Sequence, residues 1–142
     1  MQIEKLNINH PQILMSYFDL MYLHLATVVP CFIIGTALLI IKKGTPGHKK
    51  WGRLYMMLML ITATITLFMP AQVGPQFLGH FGYIHGFSFL AIYTVPTAYW
   101  AIKKGDIKSH QRKMILLYFG AIIIAGGFTF FPGRYLYELF FN

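Results

Sequence analysis

Four apolar runs, residues 20–41, 54–69, 83–102 and 114–131, leave this chain little choice of surroundings. Each is near the ~20 residues that cross ~30 Å of hydrocarbon at a helical rise of 1.5 Å per residue. With 142 residues in all there is room for one domain and no second layer to cover them. Charged residues make up 11% of the chain and apolar ones 56%, against roughly 25% charged in an average soluble domain. The predicted fold class is therefore all-α, an integral membrane four-helix up-down bundle filling residues 1–142. Aromatic residues expected at the headgroups flank the runs, among them Tyr22, Trp51, Tyr83, Trp100 and Tyr135.

The net charge of +8 is local. Apart from Lys5 and Arg134, every basic residue falls in residues 42–53 or 103–113. Residues 70–83 hold no Lys or Arg. The positive-inside rule puts both basic stretches in the cytoplasm as turns and both chain ends outside. Lys49, Lys50, Arg53, Lys108, Arg112 and Lys113 would meet the anionic inner-leaflet lipids, which accounts for the charge without nucleic acid. The N-terminus has no basic cluster and the first run is too long for a signal-peptide core, so that run is read as a retained helix. Cys31 stands alone and reads as a small buried hydrophobe. The expected location is the bacterial inner (cytoplasmic) membrane, crossed several times.

Short connections make consecutive helices antiparallel neighbours, which sets helix 1 diagonal to helix 3 and helix 2 diagonal to helix 4. The halves also repeat. His24 precedes Lys42-Lys43-Gly44 by eighteen residues, and His85 precedes Lys103-Lys104-Gly105 by the same distance. A capping residue follows each, Thr45 or Asp106, and then a histidine, His48 or His110. A duplicated two-helix hairpin accounts for this.

The duplication pairs His24 with His85 near the outer face and His48 with His110 near the inner one. Imidazole ligates haem iron and other transition metals, and an intramembrane histidine is costly to bury idle. Val28, Cys31 and Gly35 follow His24 down its face and are small enough to leave space; Ser88, Ile92, Pro96 and Tyr99 follow His85. The competing reading of the outer pair is a simple interhelical hydrogen bond. The inner pair sits at headgroup level among lysines and arginines, where a solvated interfacial histidine is the alternative. Thr62 and Thr66 share a helix face and should hydrogen-bond within the bundle. His80 and His10 read as surface residues, and Arg134 and Glu138 as a helical pair. No phosphate-binding glycine loop, Cys-x-x-Cys or hydrolase triad is present, and no catalytic residue is assigned.

The segments Gly47-His48-Lys49-Lys50-Trp51-Gly52-Arg53-Leu54-Tyr55 and Ser109-His110-Gln111-Arg112-Lys113-Met114, with Tyr118 following, resemble the signatures of a bacterial family of predicted four-span membrane proteins, a domain of unknown function. The resemblance runs from His24 to Arg134 and implies topology alone. A looser architectural similarity is to two-haem transmembrane b-type cytochromes that take electrons from ascorbate. It implies one haem b on His24 and His85, a second on His48 and His110, and a role as a small membrane redox protein with a redox partner or larger complex. A non-haem metal or quinone site on the same histidines, or an accessory subunit gripping lipid or a partner, are the rival functions.

Overall fold

The computed structural model describes residues 11–70 and 77–141, with side chains from Phe18 onward. His10 and most of the polar leader lie outside these residues. Among the described residues all regular structure is helical, apart from one isolated bridge between Phe77 and Phe81. The helices are α1 (Pro11–Ile40), α2 (Pro46–Phe68), α3 (Tyr83–Lys103) and α4 (Ile107–Phe128), followed by a short C-terminal helix, Tyr135–Phe141. Within α4 an α-helical segment, Ile107–Leu117, widens into a π-helix over Tyr118–Ile124 and closes with an α-helical turn, Ala125–Phe128.

Two helices start well before their apolar runs. Thr45 caps α2, its hydroxyl accepting from the His48 N–H (3.2 Å), and Asp106 caps α4, its carboxylate accepting from the Ser109 N–H (3.1 Å). The basic stretches expected as turns are therefore mostly first turns of helices. Lys and Arg are good helix formers, so hydropathy marks where lipid ends and not where the helix does. The turns proper are built alike: Gly44 and Gly105 take φ of 80° and 81°, the left-handed region that glycine enters without penalty.

Among the described residues three helices are long and apolar enough to cross a membrane: Phe18–Ile40, Pro46–Phe68 and Ile107–Phe128, with mean hydropathy 2.2, 1.4 and 1.2. The 21-residue α3 has the length but is not among them; it carries His85, Ser88 and Thr94 on its inward face. Its outward residues are Phe89, Tyr93, Tyr99 and Trp100. Phe32, Ile33 and Ile40 of α1 and Phe68 of α2 are likewise exposed. Polar groups turned in and aromatic or aliphatic ones turned out is the pattern of a surface solvated by lipid.

Packing runs from α1 to α2, α2 to α3 and α3 to α4, and the π stretch of α4 returns to α1. The core where they meet includes Cys31, Tyr55, Met59, Val95, Leu117 and Tyr118. Gly35 is the point of closest approach. A Cβ there would come within 2.7 Å of the Tyr118 ring and 2.9 Å of the Tyr55 ring. The space expected beside Gly35 is filled by these two tyrosines.

Candidate functional site

At the end of the helices remote from the basic turns, α1, α2, α3 and α4 enclose a cavity of about 500 Å³. Its walls are mainly apolar, with Val28, Met59, Ala91 and Ile122 among them. Polar groups enter from His24 on α1, Thr62 and Thr66 on α2 and Ser88 on α3. Among the described residues no Asp or Glu lines it.

The hydrogen bonds around His24 fix its proton. The Thr66 hydroxyl donates to the Thr62 carbonyl (2.9 Å), the usual back-bond of a threonine in a helix, so toward His24 Nδ1 (3.0 Å) it accepts. The Thr62 hydroxyl meets the same Nδ1 at 2.8 Å. His24 Nδ1 therefore carries hydrogen and is shared between two threonines. With no carboxylate lining the cavity to hold a second proton, Nε2 keeps a lone pair. It has no hydrogen-bond partner among the described residues. Ser88 is 4% exposed, lines the cavity from the diagonal helix, and its hydroxyl also has no partner among the described residues.

His85 lies elsewhere. The Gly82 N–H donates to its Nδ1 (3.0 Å), and its Nε2–H donates to the Met69 carbonyl (2.9 Å). Both ring nitrogens are committed, at 1% exposure, to closing the start of α3 onto the end of α2. His80, expected at the surface, does the same work: its Nε2–H donates to the Leu67 carbonyl (2.8 Å) and its ring packs 5.3 Å from that of His85. The last carbonyls of a helix have no partner of their own, and these two imidazoles supply one. His85 is thus tied at the end of α2, while His24 is tied to Thr62 and Thr66 further inside it. A bis-histidine haem on His24 and His85 does not fit this arrangement, because His85 has no nitrogen free to ligate iron.

The inner pair stands in the first turns of α2 and α4. His110 Nδ1–H donates to the Ala98 carbonyl (2.9 Å), which leaves Nε2 open, and His48 Nδ1 is buried without a partner among the described residues. Both side chains are half-buried, near exposed Lys49, Lys50, Lys108 and Arg112; Arg53 and Lys113 follow within the opening turns of α2 and α4, while Lys42, Lys43, Lys103 and Lys104 lie at the ends of α1 and α3. Among the described residues no three His, Cys, Asp or Glu side chains gather to hold a metal ion.

A family model described as predicted membrane protein (DUF2306) matches residues 21–140. The chain belongs to the DUF2306 family. No curated protein and no solved structure matches it. The matched span takes in every part of the cavity and both histidine pairs, so the site described here is built from the body of the DUF2306 fold.

In this DUF2306 chain the cavity is open on one side. Near the inner end the seam between α1 and α4 is closed by the Tyr118 hydroxyl, which donates to Thr36 (2.6 Å) while Thr36 donates to the Phe32 carbonyl (2.7 Å). At the other end the hydroxyls of Tyr22 and Tyr135 meet at 3.0 Å with their rings edge to face. Between these two closures Val29, Phe32 and Ile123 both line the cavity and stand exposed. The opening faces sideways, toward lipid. The π-helix supplies one lip of this opening with Ile123 and continues the wall with Ala121 and Ile122; such widened turns often occur at functional sites. Sequence reasoning found His24 and missed Ser88 as its counterpart, although Ser88 lay on the face already traced from His85.

Proposed function

We propose that this protein is a four-span bundle of the bacterial inner membrane that takes up a lipid-soluble, hydroxyl-bearing small molecule, of the quinol class, in the cavity beside His24. One observation carries the reading: His24, its Nδ1 taken by Thr62 and Thr66, lines an apolar chamber, and its Nε2 meets no donor among the described residues. An acceptor that meets no donor forfeits a hydrogen bond, so a donor on the ligand is what the site lacks. The chamber's volume suits an aromatic head group, since ligand pockets run from roughly 300 to 1,000 Å³. Its sideways mouth admits molecules from hydrocarbon and offers little to water-soluble ones.

The four-span topology rests on α3 hiding its polar residues inward, and on Lys42 and Lys103 ending α1 and α3 at the same side. Matching left-handed glycines and caps at the two basic turns support an ancestral hairpin duplication.

The test is extraction. Protein purified in mild detergent is treated with organic solvent and its bound lipids are resolved by mass spectrometry. Wild-type protein should release a hydroxylated isoprenoid or aromatic lipid in near-stoichiometric amount. Ala91→Phe should release almost none, because Ala91 lines the chamber at 1% exposure and a larger side chain there takes up its volume. Wild-type protein that yields phospholipid alone would overturn the reading.

The inner histidines favour a second one. Open nitrogens on His48 and His110 suit a transition metal or the iron of a b-type haem at that end. A Soret band in purified protein, lost in His110→Ala and kept in His85→Ala, is its expected signature.

A further inference from the structure

The two free polar groups of the cavity differ in what they can do. His24 Nε2, with the ring proton held at Nδ1 by Thr62 and Thr66, can only accept a hydrogen bond. The Ser88 hydroxyl, 4% exposed and unpartnered among the described residues, can donate or accept. They project from α1 and α3, diagonal helices, into one chamber whose other walls are apolar. A molecule anchored at both points needs a polar atom at each end of a flat apolar body. A para-dihydroxy aromatic ring has that form.

We infer that the cavity discriminates between oxidation states of a quinone and prefers the reduced one, with His24 setting the preference and Ser88 anchoring both forms. The inference rests on the ligand class proposed above. A hydroquinone donates one hydroxyl to His24 Nε2 and exchanges a second bond with Ser88. A quinone presents two carbonyls, both acceptors. Ser88 can still donate to one of them, but the other faces the His24 lone pair and is repelled. A ligand shifts an equilibrium only by its differential affinity for the two states. One hydrogen bond made in the first state and lost in the second is worth about a tenfold difference in affinity. By linkage the bound couple is then harder to oxidise than the free one by that same factor.

The experiment measures binding of a decyl-substituted benzohydroquinone and of the matching benzoquinone to detergent-solubilised full-length protein, under anaerobic conditions, by equilibrium dialysis. Wild-type protein should hold the hydroquinone about tenfold more tightly. His24→Gln places an amide that can donate or accept near the position of Nε2, and should bring the ratio close to one. Ser88→Ala should weaken both ligands alike and leave the ratio unchanged. Ala91→Phe, which fills the chamber from a buried wall position, should abolish both. Equal affinity of the wild type for the two ligands, still blocked by Ala91→Phe, would sink the redox preference while leaving the cavity as a binding site. Tighter binding of the quinone would overturn it directly. No binding of either, together with an empty lipid extract, would remove the proposed function itself.

Discussion

Tyr55 and Tyr118 enter the same seam beneath Gly35, but their hydroxyls meet different fates. Tyr118 donates to Thr36 at 2.6 Å, whereas Tyr55 Oη is buried with no partner among the described residues. Removing a made bond costs about 1 kcal/mol, while removing an unmet group relieves a desolvation penalty. Tyr118→Phe should therefore lower the melting temperature of the detergent-solubilised protein, and Tyr55→Phe should leave it unchanged or raise it. Gly35→Ala should be worse than Tyr118→Phe, by about 1–3 kcal/mol of overpacking against two rings. The histidines divide in the same way. His85→Ala strips partners from the Gly82 N–H and the Met69 carbonyl and should cost about 1–3 kcal/mol for each, yet leave the ligand preference set by His24 untouched. His24 was legible in the sequence as a polar ring inside an apolar run. The role of His85 was not, because both its partners are backbone groups that no side-chain pattern marks.

At the scale of elements the caps were readable and the widened helix was not. Thr45 and Asp106 announce the starts of α2 and α4 because a hydroxyl or carboxylate must meet the orphan N–H groups there. Thr45→Ala and Asp106→Ala should each cost about 1 kcal/mol, read as a lower midpoint in a thermal-shift series. Thr45→Ser and Asp106→Asn should restore most of it. The π-helix of α4 has no such signature. The Ala125 N–H reaches back to the Gly120 carbonyl, five residues earlier, in a stretch of small and aliphatic residues that would suit an α-helix equally well. What selects the wider turn is tertiary: the Tyr118 ring must lie against Gly35 on one side of the stretch while Ile122 packs into the core on the other. Packing of this kind is invisible to local propensity.

For the whole molecule, the topology turns on α3, the one long helix among the described residues whose mean hydropathy does not by itself mark it as crossing. If its polar residues face inward and its aromatic ones face lipid, it crosses, and the two basic turns share a side. If it lay along the surface, the turn around Lys49 and the turn around Lys108 would fall on opposite sides. Cysteine accessibility separates these cases. Cys31 is fully buried, so Cys31→Ala gives a background without a reactive thiol at little structural cost. Into it go Lys49→Cys, Phe77→Cys or Lys108→Cys, all at exposed positions. A membrane-impermeant maleimide applied to intact spheroplasts should label the cysteine at position 77 at once and those at 49 and 108 only after permeabilisation. Labelling at 108 before permeabilisation, with 49 still protected, would mean that α3 does not cross. His24 and Ser88 could not then face each other across a chamber within the membrane, and the ligand proposed for that chamber would have no route from the bilayer.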